Sequence, residues 1–400
     1  MSSYLKNTTI KEKKMEFPIY FPDATRGFVR SCDSCDLENQ KVEGVVVNTY
    51  HLMSDPGTKV IQDYGGIKGF MNWGGFVTTD SGGWQIFSMI QKSKELGEVT
   101  DAGVKFFVGS KGNISPRRKA WGYETPPTRG RGNILEEVFS KSCYKKSIIF
   151  TPEASIEMQF NLQSDIVVCL DDFTSPTATT AEIEQSVKRT IDWAGRCKDE
   201  FNRQVNLREL TPEQTPILLA PIQGGFNREL RQKCASELLN IGFGAYGLGG
   251  WPIDATGKMD MDLTKFIAEL TPDNIPRFAL GVGFLQDIVS CVKLGWHIFD
   301  CVIPTRDARH GRLFIFNQDP NKTNILEEPQ LFGQLYINKE KNIGNKNPIS
   351  KYCDCHTCQN YSIGYLRHLF FVEDPLAFRL ATLHNIRMYT KAIELLRKAV

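Results

Sequence analysis

Eight short apolar segments, rich in β-branched residues, constrain what this chain can fold into more than any other feature. They are predicted as strands near 17–21 (FPIYF), 44–49 (GVVVNT), 76–79 (FVTT), 166–171 (DIVVCLD), 217–222 (ILLAPI), 245–248 (AYGL), 277–282 (RFALGV) and 298–303 (IFDCVI). A strand that is apolar at nearly every position is buried on both faces, as in a parallel sheet covered by helices. Amphipathic stretches such as AEIEQSVKRTIDWAGRCKDEF and NRELRQKCASELLNIG lie between several of them. Eight such units favour an α/β fold of the (β/α)8 TIM-barrel kind over an open doubly wound sheet. The sequence contains no Walker loop, and its single G-x-G-x-x-G, GFGAYG at 242–247, runs into a predicted strand instead of opening a helix, which weighs against the nucleotide-binding open sheets. At 400 residues the chain has room for a barrel of roughly 250 residues with insertions.

The composition is that of a soluble globular protein, with 41% hydrophobic and 24% charged residues. The 48 Lys and Arg against 46 Asp and Glu leave +2, so no global basic field marks a nucleic-acid partner and any such partner must meet a local patch. No run of about 18 apolar residues spans a membrane. The N-terminal MSSYLKNTTIKEKKMEF lacks the apolar core of a signal peptide, so a cytoplasmic location is expected.

Eleven cysteines without an export signal argue against a disulfide scaffold. Eight are scattered, several inside apolar runs where an inert thiol is the default, and Cys32 and Cys35 form a lone C-x-x-C with no second pair nearby. Cys353, Cys355 and Cys358 differ, because they sit together in YCDCHTCQNY and His384 follows in ATLHNIRMY. Three thiolates and an imidazole make a closed tetrahedral Zn2+ site, one per chain, with no open position for catalysis and hence a structural role. His356 is a weaker rival for the fourth place. LAFRLATLHNIRMYTKAIELLRK, with Leu376, Leu380, Leu383 and Ile386 at helical spacing, is predicted as the helix that carries His384.

The strand ends gather polar residues. Asn48, Asp80, Asp171 and Asp172, Gln223-Gly224-Gly225, Gly249-Gly250 and Asp300 followed by Pro304-Thr305-Arg306 all fall there. In a parallel barrel every C-terminal strand end opens on one face, where active sites are built. Any one of these residues would pass for a helix cap or turn former. Several acids, an amide and two glycine pairs on one rim point to chemistry.

VVNTYHL (46–52), TTDSGGWQIFS (78–88), APIQGG (220–225), ALGVG (279–283), FDCVIPTRDARHG (299–311) and the C-x-C-x-x-C…H set resemble the tRNA-guanine transglycosylases, from about residue 17 to the C-terminus. The resemblance implies a (β/α)8 barrel with a zinc subdomain inserted near its end. It also implies exchange of guanine at the tRNA wobble position for a 7-deazaguanine base. Asp300 would be the nucleophile and Asp80 the general acid/base, as in retaining glycosidases. Asp171 would bind the purine edge, with Gln223 and the backbone at Gly249 and Gly250 completing recognition. Trp84 would stack on the base, Leu280 would cover its other face, and Arg306 and Arg309 would contact the anticodon loop.

Three departures from the family pattern stand out. Phe173 replaces a smaller residue beside the 7-substituent. Trp251-Pro252-Ile253-Asp254 replaces the usual Leu-x-Val-Gly-Glu, removing a partner for a cationic aminomethyl group, so a small neutral substituent such as a nitrile should be better tolerated. An insert at 110–145 carries Lys111, Arg117, Arg118, Lys119, Arg129, Arg131, Lys141 and Lys145 with Trp121 and Tyr123. That loop suits a nucleic-acid grip and a plain surface loop equally. The expected divisions are a barrel over 1–312, a zinc-binding subdomain over 313–384, and a terminal helix, 385–400, packing back on the barrel. Two other functions fit the resemblance: a transglycosylase acting on DNA, and a non-catalytic RNA-binding partner subunit. PTRDAR disfavours the first, and retention of both Asp80 and Asp300 the second; a zinc hydrolase is weaker, because the metal set is closed. A homodimer, as in bacterial members, is a further partner the resemblance allows.

Overall fold

The computed structural model describes residues 4–92, 97–107, 147–250, 252–253 and 257–400. All eight predicted strands form and join one sheet: β1 (Ile19–Pro22), β2 (Gly44–Asn48), β3 (Phe76–Asp80), β4 (Ile166–Val168), β5 (Ile217–Ile222), β6 (Ala245–Leu248), β7 (Arg277–Ala279) and β8 (Ile298–Cys301). Every pairing is parallel and runs in chain order from β2 to β8, and β8 then pairs with β1. A parallel bridge between Asp23 and Val46 brings the end of β1 to β2 and nearly closes the barrel. The expected (β/α)8 architecture is therefore present.

The strands are shorter than the apolar runs at β4 and β7, because the chain leaves the ladder where the mouth begins. Past β4, Cys169 N–H still donates to Leu219 O at 2.9 Å, but Asp171 is already in the loop. Past β7, Gly281 turns at φ +76°, a value that favours glycine. The two amphipathic stretches are helices Thr180–Leu207 and Arg228–Ile241. Thr179 and Glu182 start the first with a reciprocal capping box.

Three antiparallel additions had no clear signal in the sequence. The hairpin Asn7–Ile10/Lys13–Glu16 is polar in composition, yet Ile10 and Met15 are buried. With Phe17 they close the bottom of the barrel against Phe21, Val168, Leu219, Phe278 and Ile298. A three-stranded sheet (Gly97–Thr100, Gly103–Phe107, Ser147–Phe150) stands between β3 and β4, and the basic insert expected at 110–145 lies outside the described residues. The hairpin Arg312–Phe316/Phe332–Tyr336 follows β8.

The C-terminal helix runs unbroken from Pro375 to Ala399, with His384 near its middle. Tyr389 packs against Tyr20 of β1 at 4.9 Å between ring centroids, and its hydroxyl donates to Gly283 O at 2.6 Å. Arg397 Nε donates to Pro18 O at 2.9 Å. This helix thus packs on β1 and on the loop after β7, and Cys353, Cys355 and Cys358 lie in the segment between β8 and it.

At the bottom rim Asp165 is buried, accepts from Val77 N–H at 2.8 Å and pairs with Lys68 at 2.6 Å and Lys11 at 3.7 Å. Removing one member of such a pair strands the rest. Asp165→Ala should lower the unfolding free energy by about 2–4 kcal/mol, read from urea denaturation, whereas Glu16, paired with Lys14 at the surface, should tolerate alanine within about 0.5 kcal/mol.

Candidate active site and metal centre

The eight strands end together, and the polar residues of those ends meet at one mouth. Asp80 closes β3 directly opposite Asn48 of β2 in the register. Asn48 Nδ2 reaches both its carboxylate oxygens, at 2.9 and 2.7 Å, and Gly82 N–H donates to Oδ1 at 3.0 Å. Asn48 is held in turn, since its Oδ1 caps the following helix by accepting from His51 N–H at 3.0 Å. Gly82, at φ +81°, makes the tight turn this needs. Asp300, in β8, accepts from Gly281 N–H at 2.8 Å. Burial pushes its carboxyl up to about 7, against that hydrogen bond and with further upward pressure from Asp23 and Asp80.

Asp23 is an acid the sequence reading passed over. It directly follows β1, as Asp80 ends β3, so the strand-end rule reaches it too. Its carboxylate accepts from Thr25 N–H at 3.2 Å, and burial raises its pKa.

On the opposite side of the mouth, Gln223 Nε2 donates to Asp171 Oδ2 at 2.6 Å. Burial lifts Asp171 to about 6, with the Gln223 bond opposing and the charge on Asp172 adding to it. Asp172 itself is buried and ion-paired with Arg189. Gly249 and Gly250 lie against Gln223: a Cβ on Gly249 would stand 3.0 Å from its Nε2, and one on Gly250 3.1 Å from its Oε1. Leu280 packs over Gly247 of β6, where a Cβ would come within 3.0 Å of Leu280 Cδ1.

Trp84 is 41% exposed at the start of helix Gly83–Lys92. Phe173 meets it edge-on at 4.6 Å between centroids, and Phe87, which the sequence reading did not single out, completes the cluster at 5.1 Å from Phe173. Trp251 and Asp254, on which the expectation about the 7-substituent rests, lie outside the described residues. Arg306 and Arg309 sit on helix Ile303–Arg309 beside the mouth, Arg306 exposed and Arg309 half-buried with its Nη1 donating to Thr305 O at 2.7 Å.

Cys353, Cys355, Cys358 and His384 place one ligand atom each within 4.8 Å of one another. His384 Nδ1 stands 3.5 Å from Cys355 Sγ and 3.3 Å from Cys358 Sγ. A tetrahedral ion with ordinary metal–sulfur and metal–nitrogen bonds needs N–S edges of about 3.6 Å. The other imidazole nitrogen, Nε2, lies 2.7 Å from Phe314 O, which fixes the tautomer that leaves Nδ1 free to ligate. Cys355 also caps helix His356–Asn360, its Sγ accepting from Cys358 N–H at 3.3 Å. The rival His356 is exposed and turned toward Asn360, 3.3 Å from its Nδ2. The four ligands fit a metal ion.

A parallel barrel with acids gathered in its mouth and a closed Cys3His group beside its last helix defines a class of barrel enzyme whose candidate metal site lies apart from those acids. The family profile described as queuine tRNA-ribosyltransferase matches residues 5–119 and 131–400, and the chain belongs to that family. It is an enzyme of the tRNA-guanine transglycosylase, or pentosyltransferase, type. Its relatives include the queuine tRNA-ribosyltransferases of Blochmanniella floridana, 33% identical over 387 residues (96% of this chain, 86% of that one), and Psychrobacter sp. PRwf-1, 31% over 392 residues (98% and 88%). That of Idiomarina loihiensis is 33% identical over 386 residues (96% and 87%). Among the described residues no helix is long and apolar enough to cross a membrane.

Two measurements follow from the geometry. His384→Ala and Cys355→Ala should each empty the site in elemental analysis and lower the Tm by roughly 5–10 °C, whereas His356→Ala should change neither. Asp300 tests the mouth. Its folded pKa of about 7 exceeds the unfolded value of about 4, so its favourable contribution is complete below pH 4 and lost as pH rises to 7. Asp300→Asn should therefore be more stable than the native enzyme at pH 8, and the difference should vanish at pH 4.

Proposed function

We propose that the protein exchanges guanine at the wobble position of the tRNA anticodon for a 7-deazaguanine base, through a covalent glycosyl–enzyme intermediate. The observation that carries this reading is the unequal treatment of two acids in one mouth. Asp80 is locked by three donated hydrogen bonds, while Asp300 receives one, from Gly281, among the described residues. The less saturated carboxylate is the better nucleophile, and the fixed one is suited to passing a proton.

An Asp300 oxygen attacks the anomeric carbon of the ribose, forming a C–O bond as the C–N bond breaks and guanine leaves with its electron pair. Asp80 handles the proton of the departing base. The incoming base then gives up a proton and attacks the same carbon, which frees the Asp300 carboxylate. Asp171 accepts from the N–H groups of the purine edge, and Gln223 with the Gly250 N–H faces its carbonyl. Trp84, Phe173 and Leu280 supply the apolar walls. Arg306 and Arg309 grip the unpaired anticodon loop, whose bases can be splayed out of a stack. Zinc is the metal that three thiols and an imidazole suit best, and with four protein ligands it supplies structure rather than chemistry.

Incubation with labelled guanine and either tRNA or duplex DNA tests the reading. Label in tRNA supports it, label in DNA favours a DNA-directed transglycosylase, and label in neither favours a non-catalytic subunit. Asp300→Ala should abolish exchange and covalent trapping, and Asp80→Asn should lower turnover by at least about 100-fold while still trapping some adduct. The pH profile gives an independent check. Asp171 and Asp300 must both be ionised, so log kcat/KM should rise with slope two below about pH 6 and slope one between about 6 and 7, then level off.

A further inference from the structure

Arg231 is placed where three rules of protein architecture disfavour it. It lies in the first turn of helix Arg228–Ile241, where the helix dipole repels a cation. Its side chain is 0% exposed. Among the described residues no carboxylate pairs with it, and burial lowers its pKa to about 10, which leaves it charged at neutral pH. A cation held at such cost calls for a use beyond packing.

Its hydrogen bonds all converge on the base-binding loops. Nε donates to Gly225 O at 2.9 Å, and Nη1 to Gly249 O at 2.6 Å and to Ile222 O. A Cβ on Gly250 would stand 3.4 Å from Nη2, so the guanidinium lies directly behind the Gly249–Gly250 peptide. Gly249 O and the Gly250 N–H belong to that one amide. Among the described residues no acceptor meets the Gly250 N–H. A full charge on the carbonyl side of an amide polarises it and strengthens its N–H as a donor.

We infer that Arg231 is a positioning residue for base exchange: its guanidinium polarises the Gly249–Gly250 peptide so that the Gly250 N–H stabilises charge building on the 6-oxygen of the departing purine. This rests on the exchange reading above. As the glycosidic bond breaks, the electron pair leaves with the base and spreads toward that oxygen until a proton arrives. Donors aimed at developing charge in a site closed to water lower the barrier more than they tighten ground-state binding.

Single-turnover formation of the covalent tRNA adduct by native enzyme, Arg231→Met and Arg231→Lys tests the inference. A native enzyme that neither forms adduct nor exchanges guanine defeats the exchange reading itself, whatever Arg231 does. With native enzyme active, Arg231→Met should lose roughly 10- to 100-fold in adduct formation, with KM for guanine and Kd for tRNA changed less than about threefold. Arg231→Lys, which keeps the charge, should recover most of the rate. Equal losses in rate and binding, or an unchanged rate in a folded Arg231→Met, overturn the proposal. If neither variant folds, the infrared C6=O stretch of 13C-labelled guanine on the native enzyme decides: a frequency below that in water supports the polarised donor, and an equal or higher one refutes it.

Discussion

Carboxylates of like charge resist being brought together out of water, and the mouth of this barrel brings three of them together. Asp23, Asp80 and Asp300 end or follow β1, β3 and β8, and parallel closure forces those ends to a common rim. Each is handled differently. Asp80 takes two bonds from Asn48, Asp23 takes its bonds from Thr25, and Asp300 is left with the Gly281 N–H and a raised pKa. The tension is thereby concentrated on the residue assigned the covalent role, at a cost in stability that the rest of the barrel offsets.

The Cys3His cluster bears on that rim through the helix that carries His384. One residue further on, Asn385 Nδ2 donates to Pro304 O and Arg312 O, each at 3.0 Å, and its Oδ1 accepts from Phe314 N–H at 3.0 Å. Tyr389 holds Gly283 O in the loop that begins with Gly281. Fixing His384 therefore fixes the helix that braces the segments after β7 and β8, which adjoin Asp300 and include its hydrogen-bond donor Gly281. A closed Cys3His site thus braces the rim without lining the mouth.

Much of this was legible in the sequence because apolar runs and strand-end residues are local signals. All eight strands could be read from composition and spacing, and so could the three cysteines of the candidate metal group, since thiols two and three residues apart need no tertiary information. The hairpin Asn7–Glu16 could not, because its buried Ile10 and Met15 are isolated in a polar run and acquire meaning only against the barrel floor. The assignment of Asp171 and Gln223 to one base site came from the family resemblance rather than from spacing, and their hydrogen bond to each other is seen only in the structure. Arg231 and Asp23 were missed for different reasons. Arg231 reads as a surface residue of an amphipathic helix, although a cation in the first turn was a usable warning. Asp23 stands at a strand end like the other acids, within reach of the same rule.

The central claim is that Asp300 forms the bond to ribose while Asp80 moves the proton. Peptide mapping of the trapped adduct tests it most directly: the enzyme is incubated with tRNA, quenched by denaturation, digested with protease and nuclease, and sequenced by mass spectrometry. A ribose-containing remnant on the peptide spanning Asp300 is the predicted result, and the same remnant on the peptide spanning Asp80 would contradict the account.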